Sequence, residues 1–164
     1  MIDYELITNE KKERLIAFGK YAGIAGALDF LKGFGDYLML MGYRTPFLHC
    51  NATYKYKNIE HAYEEMKWVG EQLKLKKIPQ ELSPMIFGIT GRGRVAKGCL
   101  EVLENFPITN IKPEEVEAIW ADRLNPIHRK TIYVVSINTE DCMELINPER
   151  AERGASLFDR NDYY

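Results

Sequence analysis

Pro84-Met85-Ile86-Phe87-Gly88-Ile89-Thr90-Gly91-Arg92-Gly93-Arg94-Val95-Ala96-Lys97-Gly98 is the stretch whose reading decides the fold. A short apolar run reaches Gly91-x-Gly93-x-x-Ala96, and an amphipathic segment follows at once. Strand, tight glycine turn and helix N-terminus come in the order by which dinucleotide-binding domains hold a pyrophosphate. Gly91 permits the sharp turn, and Gly93 has no Cβ to keep the backbone away from a phosphate. Ala96 is small enough for close packing of helix on strand, and unpaired N–H groups at the helix start face an anion. Arg92, Arg94 and Val95 complete the loop, the two arginines either adding charge to an anion site or facing solvent. The same glycines close ordinary βα units as a purely structural turn. The strand before and the helix after favour the nucleotide.

Downstream, Val95, Cys99, Val102 and Phe106 mark one face of a helix ending near Pro107. Ile108 to Ile111 fits a second parallel strand, and Pro113 with Glu114 and Glu115 starts a short helix through Trp120. Thr131 to Ile137 is a near-continuous β-branched run, as a buried parallel strand requires. The order β-α-β-α-β is that of one mononucleotide-binding half. Upstream, Asn58 is a plausible N-cap, and Ala62, Met66, Val69 and Leu73 recur at helical spacing over 59–76. Pro79 and Pro84 bracket the linker into the glycine-loop strand.

From Leu15 to Gly42 the pattern is helical and apolar on nearly every side, with Gly19, Gly23 and Gly26 set among alanines. Each such glycine costs on the order of 1 kcal/mol of helix propensity relative to alanine. Close approach of another backbone, or a face laid against a ligand, must offset that cost. Lys20, Asp29, Lys32 and Asp36 interrupt the segment too often for a membrane span. Met1 to Leu6 reads as a short strand, and Asn147 to Tyr164 as loop. The predicted fold class is α/β, a Rossmann-type parallel sheet with flanking helices, preceded by a long interdomain helix. Residues 1–13 would end a largely missing N-terminal substrate domain, 14–80 would form linking helices, and 81–164 a dinucleotide-binding domain truncated at its C-terminus.

Composition excludes more than it identifies. The 164 residues are 46 % hydrophobic and 28 % charged with net charge −2, which suits an ordinary globular domain. No basic excess argues for nucleic acid, and no membrane segment is expected. Cys50, Cys99 and Cys142 are odd in number and far apart. Together with the scattered His49, His61 and His128 they make neither zinc spacing nor a disulfide framework, so buried, reduced thiols and no metal are expected. The start lacks the basic and apolar regions of a signal peptide, which reads as a cytoplasmic protein with a mitochondrial one as the alternative.

Arg14-Leu15-Ile16-Ala17-Phe18-Gly19-x-x-Ala22-Gly23-x-Ala25-Gly26 resembles a signature of the lysine-ketoglutarate reductase region of the aminoadipic semialdehyde synthase (saccharopine dehydrogenase) family, within the alanine dehydrogenase-like superfamily. Thr45-Pro46-Phe47-x-His49 is similar to that family's next segment, and Phe87-x-x-Thr90-Gly91-x-Gly93-x-Val95-x-Lys97-Gly98 to its nucleotide loop. Ile2-Asp3-Tyr4-Glu5 and Phe158-Asp159-x-x-Asp162-Tyr163-Tyr164 follow the same order, so the resemblance covers essentially the whole chain. It implies two α/β domains joined by a long helix, with the active site in the cleft. It also implies condensation of L-lysine with 2-oxoglutarate and reduction of the imine by a nicotinamide cofactor, usually NADPH, to saccharopine.

The resemblance makes Arg14 the residue that holds a substrate carboxylate, with Phe18 beside it. An arginine fork suits a carboxylate, although a solvated arginine at a helix start is the plainer alternative. The family's catalytic lysine and histidine should lie before Met1, so no catalytic residue is assigned, and His49 reads as structural or as a cofactor-side contact. The acid expected about 20 residues after the first glycine is missing, and Lys112 stands at the end of the second strand. A lysine there favours the 2′-phosphate of NADP over NAD if it faces the site, and is otherwise a solvated loop residue; Glu114 and Glu115 lie just beyond it, and a small misregistration would restore an acid. The leading reading is therefore a partial, NADP-dependent reductase. A non-catalytic dinucleotide-binding module and a remnant serving only interaction are the alternatives. The expected partners are a nicotinamide dinucleotide, lysine with 2-oxoglutarate or saccharopine, and a second copy or a partner chain.

Overall fold

The computed structural model describes residues 3–138 and Asp141. Cys142, the 147–164 loop and the Phe158-to-Tyr164 part of the resemblance lie outside these residues. The chain divides into two compact units, one made of the chain up to Gln72 with Gly93–Phe106, the other of Leu73–Arg92 with the chain from Pro107 onward.

The first unit is helical. Helix α1 spans Gly19–Leu40 and α2 spans Ile59–Lys76, its last residues running into the second unit; α3 spans Arg94–Leu103. Helix α1 starts four residues later than its periodicity predicts. Leu15 N–H donates to the Ile7 carbonyl, and Thr8 bridges Arg14, so the chain before Phe18 is committed to a strand-like turn. The predicted strand over Met1 to Leu6 is likewise a single 3-10 turn at Tyr4–Leu6, because Asp3 accepts from the Glu5 N–H and caps it as a turn. Gly42 ends α1 as expected. At φ +89° it allows Gly42 N–H to reach the Met39 carbonyl and Tyr43 N–H the Leu38 carbonyl, the paired bonds that close a helix with a left-handed residue. Asn58 caps α2 by accepting from His61 N–H at 2.9 Å. Its predicted face of Ala62, Met66, Val69 and Leu73 is buried throughout.

Two glycines of α1, Gly23 and Gly35, lie against another backbone. A Cβ on Gly23 would collide with the Val95 carbonyl of α3, and one on Gly98 of α3 would collide with the Lys20 carbonyl of α1 and lie 3.0 Å from Ile24 N. Gly35 lies equally close to the backbone of Phe47. This explains a departure from the pattern of α3: Val95, predicted on the buried face, is exposed, while Ala96, Gly98, Val102 and Leu103 are buried. The face that meets α1 is the one with least side chain. Beside this contact, Lys20 Nζ sits 2.7 Å from Glu101, and the Tyr63 hydroxyl of α2 donates to the same carboxylate at 2.7 Å. The hydrogen bonds from Lys20 and then Tyr63 hold Glu101 below the usual carboxylate range, and burial pushes the Tyr63 hydroxyl up.

The second unit holds a parallel sheet of three strands, β1 Met85–Thr90, β2 Ile108–Ile111 and β3 Ile132–Ile137, in the order β1-β3-β2. Met85 and Ile108 both pair with Ile132, so all three strands start level. Sheet, parallel strands and the preceding long helix make this an α/β chain of the Rossmann type. The strand order departs from a mononucleotide-binding half, in which successive strands are neighbours. Burial explains the order: Ile132 to Val135 are all buried, whereas Thr109 and Asn110 in the middle of β2 are exposed, so the more apolar strand takes the centre. A short helix, α4 at Val116–Ala121, follows the 3-10 turn that Pro113 opens. His128 is buried under β3, its Nδ1 2.6 Å from the Tyr133 hydroxyl and its Nε2 3.3 Å from Asp122.

Gly23→Ala should lower stability by about 1–3 kcal/mol, since neither backbone can yield without separating the helices. Gly26, also in α1, has nothing within 4 Å of an added Cβ. Gly26→Ala should raise stability by up to about 1 kcal/mol. Urea unfolding of both variants checks the pair, and equal destabilisation by both would show that backbone contact is not what Gly23 provides.

Candidate functional site

Within the first unit, Arg14 and Phe18 sit just before α1. Thr8 bridges Arg14 in the strand-like turn, and Phe18 is the N-cap residue of α1, its ring edge-on to Tyr4 with centroids 6.2 Å apart. Both line a cavity of about 620 Å³ together with Tyr4, Glu5, Gly19 and Arg94. The structure thus brings the two predicted substrate residues together with one of the predicted cofactor residues. Glu5, quoted in the sequence motif without a role, supplies the counter-charge: its Oε1 is 2.6 Å from Arg14 Nη1. The pair is more than half exposed, and such pairs contribute about 0–1 kcal/mol.

Arg94 is the first residue of α3. Gly93 precedes it as N-cap with no side-chain hydrogen bond to the helix, and an added Cβ there meets nothing within 4 Å. The amides of Arg94, Val95 and Ala96 belong to the first turn, where α-helical bonds leave N–H groups without intrahelical partners. Ala96 is buried and Val95 exposed. His49 lies edge-on against Trp68 with centroids 5.0 Å apart, which is a packing role. Of the thiols, Cys50 is buried and pushed up to about 12 by desolvation, and Cys99 is half-buried and shifted the same way. Burial thus works against the reactive thiolate form of both.

Within the second unit, Gly91 follows β1 at φ +85°, a conformation that only glycine adopts freely, and its N–H donates to the Ile137 carbonyl at the end of β3. Arg92 is exposed beside it. Lys112 follows β2 directly and is exposed. Its N–H donates to Glu115 at 2.7 Å, so that carboxylate is engaged with the backbone. Because β3 stands between β1 and β2, and Ile111 pairs with Val135 while Thr90 pairs with Ile137, Lys112 and Gly91 are two strand spacings apart and two residues out of level, roughly 12 Å. The residue beside the glycine turn is Asn138, which sequence reasoning missed, since strand order is invisible in a linear pattern. Asp141 accepts from both its N–H and its side-chain amide. Among the described residues no group of three His, Cys, Asp or Glu is placed to hold a metal ion, and no helix is long and apolar enough to cross a membrane.

No family model matches the sequence. Alpha-aminoadipic semialdehyde synthase from Arabidopsis thaliana is 35 % identical over 171 residues, which take in 100 % of this chain and 16 % of that protein. The mitochondrial alpha-aminoadipic semialdehyde synthases of Mus musculus and Bos taurus are 34 % and 33 % identical over 119 residues, or 73 % of this chain and 13 % of each relative. The chain belongs to the alpha-aminoadipic semialdehyde synthase family. It spans about a sixth of the length of the Arabidopsis thaliana synthase.

Any carboxylate that reaches Arg14 must compete with Glu5. Freeing the fork removes a contact of about 0.4–1 kcal/mol, so Glu5→Gln should tighten binding of a simple dicarboxylate such as glutarate by about two- to fivefold. Calorimetric titration checks this, and weaker binding in the variant would show Glu5 helping the ligand rather than competing with it.

Proposed function

We propose that this chain is the cofactor-binding part of an NADP-dependent, saccharopine-forming lysine-ketoglutarate reductase acting in lysine degradation. The observation that carries the reading is the glycine turn: Gly91 in the left-handed region after a parallel strand, then Gly93 open to solvent as the uncapped start of a helix. That arrangement fits a phosphate, which needs a backbone free of Cβ and unpaired amides. In this reading Gly91, Arg92, Gly93, Arg94, Val95 and Ala96 hold the pyrophosphate, and Arg14 with Phe18 holds a substrate carboxylate. A bound nicotinamide supplies the hydride that reduces the imine of lysine and 2-oxoglutarate.

NADP over NAD rests on charge. Of the two acids beyond β2, Glu115 is tied to the Lys112 backbone, and the Lys112 ammonium is the cation that a 2′-phosphate would meet. The groups that move protons come from outside the chain in this reading, contributed by a partner chain or a further segment. Cytoplasmic residence stays part of the proposal, set against the mitochondrial names of the mouse and cattle relatives.

The 164-residue chain alone should show no saccharopine-forming oxidation of NADPH, because most of such a rate comes from positioning both substrates against catalytic groups. Turnover above background that is lost in Arg14→Ala would overturn that. Calorimetric titration should show NADP(H) bound in preference to NAD(H). Gly93→Val should abolish binding while leaving the fold intact, since its Cβ meets open space. Lys112→Glu should shift preference toward NAD(H) by about 1–2 kcal/mol. Undiminished binding by Gly93→Val would remove the site from this loop, and equal wild-type affinities would remove the preference.

A further inference from the structure

Two arginines, Arg14 and Arg94, line the cavity before α1, and their charges are in different states. Arg14 is neutralised by Glu5 at 2.6 Å. Glu13, the other acid in the lining, accepts from the Asn9 amide at 2.8 Å. The Arg94 guanidinium takes part in none of the ion pairs among the described residues. It also stands where helix electrostatics disfavour it, since the first turn of α3 already carries partial positive charge. Arg94 is exposed, so its guanidinium is solvated and open to an incoming anion. The root of the side chain is fixed as well: a Cβ on Gly19 would lie 3.1 Å from the Arg94 Cβ, so the start of α1 packs directly against it.

We infer that the Arg94 side chain is a second carboxylate anchor of this cavity, so that a dicarboxylate is held between Arg14 and Arg94. Ile16, Ala17 and Ala22 supply apolar wall for the short carbon chain between its two charged ends. The inference rests on the proposed function in taking that reaction's substrate into this cavity. It moves the Arg94 guanidinium from cofactor to substrate, while the Arg94 backbone amide stays with the glycine turn.

The test titrates glutarate, butyrate and NADPH separately into the wild-type chain, Arg94→Gln and Arg94→Lys. Glutarate should bind about tenfold or more weakly to Arg94→Gln, with partial recovery in Arg94→Lys, which keeps the charge and loses the fork. Butyrate, with one carboxylate, should be held by Arg14 alone and change little. Circular dichroism of the exposed-site variants confirms that α3 is intact. Unchanged glutarate binding by Arg94→Gln, or no glutarate binding by wild type, overturns the inference. Loss of NADPH with glutarate retained also overturns it and leaves the dinucleotide reading standing. Loss of glutarate affinity in a chain that never binds NADPH supports the inference and sinks the dinucleotide reading instead.

Discussion

Gly23 and Gly98 let the backbones of α1 and α3 touch, and the cavity residues carried on those two helices take their places from that contact. Two helices separated by ordinary side chains stand 8–10 Å apart, whereas glycine at the crossing lets the axes close up until carbonyl meets Cα. The propensity cost of a mid-helix glycine, about 1 kcal/mol, is set against a close contact between two backbones that no larger residue permits. Once the helices are locked there, the start of α1 and the first residue of α3 are forced together, and Gly19 meets the root of Arg94.

The charged groups follow from this packing and do not create it. Arg14–Glu5 is an exposed pair, as is most of Lys20–Glu101. Interactions of that kind are worth about 0–1 kcal/mol, too little to hold helices in register against the entropy of their own side chains. Their value is positional. Glu101 accepts from Lys20 on α1 and Tyr63 on α2, so one carboxylate reports the arrangement of three helices. Glu5 holds the Arg14 fork at the cavity wall, and a carboxylate arriving there has to displace it.

What was legible in the sequence was local. The caps of α2, the end of α1 at Gly42, the apolar run of β3 and the left-handed Gly91 each follow from a residue and its immediate neighbours. The reason for the glycines of α1 was legible too, as close approach of another backbone, but the partner was not, because Gly98 lies far along the chain. Two misreadings share a cause. Val95 fits an apolar helical face yet is exposed, and Leu15 fits the helical pattern yet precedes the helix. Periodicity assumes that side chains decide which face is buried. Here a backbone face is buried in one case, and a hydrogen bond from Leu15 to Ile7 overrides the pattern in the other.

Strand order was the feature no linear pattern carried, and it bears most directly on the cofactor. Specificity in a mononucleotide-binding half comes from the end of the strand next to the glycine turn, because the ribose lies one strand spacing from the pyrophosphate. Sequence distance points to β2 and therefore to Lys112. The sheet places β3 there instead, with Gly91 bonded to Ile137 and Asn138 next in line. Asn138 gives its backbone N–H and one side-chain N–H to Asp141, which leaves its side-chain carbonyl oxygen and second N–H as neutral groups, suited to a ribose hydroxyl and without the charge that favours a 2′-phosphate. Lys112, one strand further out, has the opposite preference. In the proposed reading, discrimination between the two nicotinamide cofactors turns on which of two strand ends the ribose meets, a neutral side chain after β3 or a cation one strand further out, and the charged contact is the stronger of the two wherever it can be reached.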